Sequence, residues 1–183
     1  MKILIAGCGY LGTALGERLI KGGHQVWGLR RDDDALKELM ARGLKTFQAD
    51  LSKPASLKAL PVFHAVVLCQ APDKNGSYEK IYYEGTWNLL DVLWRQELKK
   101  LILISSTSVY GVMDGSWVDE KDDTRKTEAV DRDAKWLLKT EDLVLSESQG
   151  IVFRLGGIYG PGRNRLEALK SGKLRPFFSE TYM

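Results

Sequence analysis

Ser105-Ser106-Thr107-Ser108-Val109-Tyr110 sets four hydroxyls in a row ahead of a phenol. Hydroxyls at that density can polarise a bound oxygen or pass a proton, which makes Ser106 and Tyr110 the candidates for chemistry. They equally suit a Ser/Thr-rich turn at a strand end. A second informative stretch opens the chain. Gly7, Gly9 and Gly12 have the spacing G-x-G-x-x-G, after the apolar run Lys2–Ala6 and at the head of the amphipathic run Tyr10–Lys21. A strand, a tight turn and a helix start meet there. A helix N-terminus offers unbonded N–H groups and the positive end of its dipole, so this geometry binds phosphate. Gly7 permits the turn, Gly9 lets backbone approach a pyrophosphate, and Gly12 lets the helix pack close to the strand. Tyr10 and Leu11 lie between them and join the candidate site.

Further candidates stand where other apolar runs end. Leu29 is followed by Arg30-Arg31-Asp32. About 20 residues beyond such a loop, a carboxylate accepts a bond from the ribose 2′-hydroxyl of NAD. Arg30 and Arg31 hold that place, and guanidinium groups suit a 2′-phosphate. The expected cofactor is NADP, with NAD as the alternative, because Asp32 could still reach a ribose. Asp50-Leu51 offers a carboxylate and an aliphatic side chain to an adenine, or else an Asp that leads a helix. Gln70 and Ala71, after Cys69, are small or polar groups beside the path of a dinucleotide. Cys8 and Cys69 are both expected to line that crevice, and no cationic partner marks either as a nucleophile. His24 and His64 read as structural or surface residues. No Cys/His cluster has metal-ligand spacing, so no metal is expected.

These groups need a scaffold. Strands are expected at Lys2–Ala6, His24–Leu29, Leu44–Gln48, Ala65–Cys69, Leu101–Ser105 and Ile151–Leu155. Helices are expected at Tyr10–Lys21, Asp33–Arg42, Gly76–Gln96 and Val130–Glu147. Leu11, Ala14, Leu15 and Leu19 share one face of the first. Ser52 is placed to cap a short helix with Pro54 in its first turn. Gly111–Thr127 reads as an irregular charged loop. Short apolar strands separated by helices predict an α/β fold. It is a doubly wound, Rossmann-type parallel sheet with helices on both faces and ligand at the carboxyl ends of the strands. Residues 1–162 form this nucleotide-binding domain. Residues 163–183 form a short basic tail with a weak helical patch near Leu166–Leu169.

The chain has 183 residues, 44% apolar and 28% charged, enough for one domain with a core. No apolar stretch approaches a membrane span, and the N-terminal run turns straight into the glycine loop, unlike a signal peptide. Two cysteines read as reduced thiols, so a cytoplasmic protein is expected. The net charge of +3 belongs to the tail, since residues 1–162 carry 22 basic and 22 acidic groups. Nothing marks nucleic-acid binding. If the chain is truncated, apolar helix faces such as Trp87/Trp94 are left uncovered, so that a homodimer or poor folding is expected.

Together these residues resemble the short-chain dehydrogenase/reductase superfamily. The resemblance is to its extended branch, the NAD(P)-dependent epimerases and dehydratases of nucleotide sugars. The matching segments are AGCGYLG at 6–12, ADL at 49–51, EGTWNLL at 84–90, SSTSVYG at 105–111 and FRLGGIYGPGRN at 153–164, in the family's order. The resemblance implies pyrophosphate at Gly7, Gly9 and Gly12, adenine at Asp50-Leu51, a catalytic hydroxyl at Ser106, and nicotinamide near Gly156-Gly157-Ile158; Ser105 joins the cofactor-binding candidates. It implies a small-molecule or nucleotide-sugar substrate. Three features depart from the pattern. The extended branch usually has G-x-x-G-x-x-G. The family's Y-x-x-x-K pair, in which Lys lowers the phenol's pKa, is missing: aligning TED at 140–142 puts Asp133 and Leu137 in those places. About twenty residues follow the YGPG segment, where extended members carry a substrate domain, so a truncated chain is expected. An epimerase- or oxidoreductase-type enzyme and a non-catalytic NADP-binding sensor or scaffold are therefore both open.

Overall fold

The computed structural model describes residues 1–72, 76–94, 96–111, 116–122 and 132–172. Six strands form one sheet: β1 (Lys2–Ala6), β2 (Gln25–Arg30), β3 (Lys45–Gln48), β4 (Ala65–Leu68), β5 (Lys100–Ser106) and β6 (Gly150–Leu155). Every neighbouring pair is parallel, in the order β3-β2-β1-β4-β5-β6. The order reverses between β1 and β4. At that point two crossovers leave in opposite directions and open a crevice at the carboxyl ends of the strands. The expected doubly wound α/β fold is the one observed.

Alternation along β1 explains the two layers. Ile3 and Ile5 point to one face, where they pack with Val26, Leu39, Leu44 and Val67. That face is covered by α1 (Tyr10–Lys21) and α2 (Asp33–Ala41). Leu4 and Ala6 point to the other, with Leu29, Phe63, Leu68, Leu89 and Leu103. It is covered by α4 (Gly85–Leu93) and α5 (Arg132–Leu145). A short α3 (Pro54–Leu57) and α6 (Arg165–Lys170) complete the helices of the described residues.

Several boundaries differ from the sequence expectation for physical reasons. The buried line of α1 runs through Gly12 and Gly16, and Ala14 is exposed. A Cβ on Gly12 would stand 2.9 Å from Ile5 Cγ2, and one on Gly16 2.6 Å from Leu44 Cδ2. The helix thus sits too close for side chains there. α3 has Lys53 at its cap position and no side-chain cap; Ser52 instead donates its hydroxyl to Asp50 Oδ1 at 2.7 Å. The expected single helix Gly76–Gln96 is a π-helical turn, Glu79–Glu84, followed by α4. The wider turn shifts the helical register, so that Tyr82 reaches the crevice while Thr86, Leu89 and Leu93 remain buried. The patch near Leu166–Leu169 is the helix α6. His64 accepts the Lys2 amide at 2.9 Å, and His24 Nδ1 lies 3.2 Å from the N-terminal amine, so both histidines anchor strand entrances. Much of the loop expected at 111–127, and the tail from 173, lie outside the described residues.

Candidate active site

A cleft of about 530 Å³ lies across the carboxyl ends of the strands. Gly7, Gly9, Tyr10 and Leu11 line it at β1; Arg30, Arg31 and Asp32 at β2; Asp50 and Leu51 after β3; Gln70 and Ala71 after β4. Ser105, Ser106, Gly156 and Ile158 complete it from β5 and β6. Residues more than 150 positions apart in sequence thus meet at one surface. Gly12 stands behind it as the packing glycine. Gly157 and Tyr110 are not among the lining residues.

The glycine loop has the shape a phosphate needs. Gly7 has φ +73°, and a Cβ there would collide with the backbone of Gln70. Gly9 donates its amide to Gly7 O at 2.7 Å, and Thr13 N–H returns to Gly9 O at 2.8 Å. The amides of Tyr10, Leu11 and Gly12 precede the helix's own ladder. α1 has neither a side-chain cap nor an acidic residue in its first turn to take them. Gly9 itself serves by lacking a side chain: a Cβ would come 3.0 Å from Arg30 Nη1. The guanidinium of Arg30 therefore stands directly over the loop.

The acidic run after β2 is occupied within the protein. Asp32 accepts the Ala35 amide at 2.8 Å and caps α2. Asp33 accepts from Gln48 Nε2 at 2.7 Å, and Asp34 pairs with Lys37 at 2.8 Å. At Asp50, partial burial opposes ionisation. Hydrogen bonds from the Ser52 hydroxyl and amide, with Arg31 and Lys53 nearby, outweigh it and hold the carboxyl below its usual range.

The floor holds an unsatisfied group. Gln70 is 6% exposed and gives its Nε2 to Thr86 Oγ1 at 2.8 Å, while its Oε1 is buried without a partner. A buried acceptor at a cleft wall is open to a donor from a bound ligand or water. With the uncapped amides and Arg30, it makes a donor and acceptor set that fits a dinucleotide. Cys69 lines the cleft, but Cys8 does not; it is 2% exposed and packed behind the loop. Burial pushes the two thiols up to about 12 and about 11, which keeps both protonated at neutral pH and inert.

At the far end Ser106 Oγ accepts the Ser108 amide at 3.1 Å, leaving the hydroxyl proton for another acceptor. The Ser105 hydroxyl donates to Glu141 Oε1. Glu141, 2% exposed, also grips Arg154 with three contacts of 2.7–3.2 Å. The Arg154 guanidinium lies 4.8 Å from the ring centre of Tyr110, which is 9% exposed. Tyr82 lines the cleft, and burial, with Tyr78 beside it, pushes its phenol to about 12. Sequence reasoning missed Tyr82 as a lining residue, because only the π turn aims it there. It also missed the Glu141–Arg154 pair, whose one sequence signal is the charge of Arg154 inside the apolar run Ile151–Leu155.

The profile of the NAD dependent epimerase/dehydratase family matches residues 3–175. The chain belongs to this family. A candidate NAD-dependent epimerase/dehydratase from Methylobacillus flagellatus superposes with a TM-score of 0.79 and 36% identity, over 96% of this chain and 61% of that one. Protein YeeZ of Escherichia coli K12 is 28% identical over 89% of this chain and 61% of its own length. The bovine sterol-4-alpha-carboxylate 3-dehydrogenase, decarboxylating, is 29% identical over 94% of this chain and 52% of its own length. The chain therefore spans about half to three-fifths of the relatives it matches. Within the family frame, Asp133 is exposed on α5 and Leu137 is 1% exposed, packed with Tyr82, Val109 and Tyr110. An apolar side chain thus fills the place the resemblance gives to a lysine. Among the described residues no cluster has a metal's ligands, and no helix is long and apolar enough to cross a membrane.

Proposed function

We propose that this chain is the cofactor-binding part of an NADP-dependent enzyme with epimerase- or oxidoreductase-type chemistry on a small or nucleotide-sugar substrate. One observation carries the choice of NADP. Asp32, the carboxylate placed to bind a ribose hydroxyl, is engaged as the cap of α2, while Arg30 stands over the glycine loop and Arg31 lines the same cleft. Two guanidinium groups suit a 2′-phosphate. The uncapped amides of α1 would receive the pyrophosphate, Asp50-Leu51 the adenine, Gln70 a donor of the cofactor, and the backbone at Gly156 to Ile158 the nicotinamide end. The cofactor would supply or take a hydride. Ser106 would donate its free proton to a substrate oxygen, and Tyr110 stays behind it as a neighbour of Arg154. Calorimetric titration with NADPH and NADH tests this reading. Tight NADPH binding with weak NADH binding supports it; a folded sample that binds neither refutes it.

A second reading has its own support. Leu137 occupies the lysine position and Asp133 is solvated, so the described residues supply no phenol–amine pair for proton transfer. A cofactor-binding sensor or scaffold protein needs none. Absorbance at the nicotinamide band with a panel of nucleotide sugars and carbonyl compounds separates the two. Turnover favours the enzyme, and tight binding without turnover favours the sensor. A homodimer through Trp87 and Trp94, 56% and 70% exposed, is a separate proposal tested by sedimentation.

A further inference from the structure

The chain leaving β6 turns back onto the side chain of Tyr10, at the start of α1. Gly160 and Arg163 exchange both backbone hydrogen bonds, at 2.9 and 3.2 Å, and so form a closed antiparallel turn. The turn is seated on Tyr10, the first residue of α1. A Cβ on Gly160 would stand 2.6 Å from the Tyr10 hydroxyl, and the Arg163 guanidinium lies 4.4 Å from the Tyr10 ring centre. Tyr10 and Arg163 both line the cleft. Stacking covers one face of a guanidinium and leaves its N–H edge free for hydrogen bonding in the ring's plane. The start of α1 is thus met by two cations, Arg30 at Gly9 and Arg163 on the Tyr10 ring. Arg30 comes from β2, and Arg163 comes from the segment after β6.

From this placement we infer that Arg163, shelved on Tyr10, is a binding residue for the pyrophosphate of a dinucleotide, closing the glycine loop from its open side. The inference rests on the dinucleotide reading given above and adds to it a residue that lies 151 positions from Tyr10's loop partner Gly12. The division of labour is specific. Arg30 and Arg31 would face the 2′-phosphate that only NADP carries, whereas Arg163 would face a group common to NADP and NAD. Planarity matters as well as charge, because a lysine ammonium can neither stack as a plane nor give two parallel N–H bonds.

The test compares wild type, Arg163→Ala, Arg163→Lys and the double variant Arg30→Ala/Arg31→Ala by calorimetry with NADPH and with NADH. A thermal melt accompanies each sample. Arg163→Ala is expected to weaken both nucleotides by the same factor, roughly tenfold or more, the worth of one charge-assisted hydrogen bond. Arg163→Lys should fall between wild type and Arg163→Ala for both nucleotides. The Arg30/Arg31 variant should weaken NADPH alone. Unchanged binding by a folded Arg163→Ala protein overturns the inference and leaves the dinucleotide reading standing. Loss confined to NADPH also overturns it, since Arg163 would then read the 2′-phosphate. A wild-type protein that binds neither nucleotide overturns both.

Discussion

The two ends of the cleft treat their polar groups in opposite ways. At the β1–β3 end, the α1 amides lack a cap, Arg30 stands over Gly9, and Arg31 and Asp50 line the cleft. At the β5–β6 end, Ser105, Glu141, Arg154 and Tyr110 are tied to one another, and of the two serines that line the cleft Ser105 gives its proton to Glu141 while Ser106 accepts the Ser108 amide. The first end is arranged to receive charge from outside. The second end pairs its own charges internally. On the proposed reading a nucleotide finds its charged partners at the β1–β3 end, the adenosine end.

Removing a charge from the self-paired end should have the largest effect on stability. Glu141→Ala leaves the Arg154 guanidinium, 18% exposed, without its counter-charge. Breaking one side of such a pair costs about 3–5 kcal/mol. Urea unfolding checks this, and an unchanged midpoint would mean that the network carries no stability. At the open end the same kind of change should leave folding intact and alter binding instead. Arg30→Ala with Arg31→Ala should cost about 2 kcal/mol in NADPH affinity, roughly thirtyfold, with little change for NADH. Equal losses for both nucleotides would remove the contrast between a 2′-phosphate reader and a general anion site.

Asp32 caps α2 at the edge of the same cleft. Asp32→Ala should lower stability by about 1 kcal/mol, the value of a lost N-cap, and leave the ratio of NADPH to NADH affinity unchanged. A selective loss of NADH binding would show instead that Asp32 reads a ribose. The smallest effect is one of pH. Burial raises the Cys8 and Cys69 thiols to about 11 and 12 from 9.0. Above pH 9 the unfolded chain releases these protons while the native state keeps them. Their contribution is therefore fully present below pH 9 and is lost as pH rises through 11 to 12. Urea midpoints between pH 8 and 10.5 should fall less in a Cys8→Ser/Cys69→Ser protein than in wild type.

The same contrast governs what the sequence shows. The adenosine end is written locally: Gly7, Gly9, Arg30, Arg31, Asp50 and Leu51 each follow an apolar strand, and period-2 alternation with helical spacing suffices to place them. Cys8 and Cys69 show where local reading stops, because neighbouring positions in sequence give no depth, and only Cys69 reaches the cleft. The β5–β6 end is written at long range. Glu141 looks like one more charge on a helix until β6 brings Arg154 against it. Tyr82 is a core residue that also lines the cleft, and its π-helical turn is not visible in the spacing. Arg163 looks like tail charge until the Gly160–Arg163 turn folds onto Tyr10; the expected boundary at 162/163 falls inside that turn. Glu141 and Arg163 each depend on a contact between distant segments, and Tyr82 lies in a π turn that helical spacing does not announce.

In the proposed binding mode the cleft holds a dinucleotide with its 2′-phosphate at Arg30 and Arg31 and its pyrophosphate over Gly9. A crystal structure of the chain grown with NADPH tests it most directly. The account predicts density along the carboxyl ends of β1–β5, the 2′-phosphate within hydrogen-bond distance of Arg30 or Arg31, and the pyrophosphate on the amides of Tyr10 to Gly12. A nucleotide bound with its 2′-phosphate turned to solvent, or seated away from the glycine loop, would contradict it.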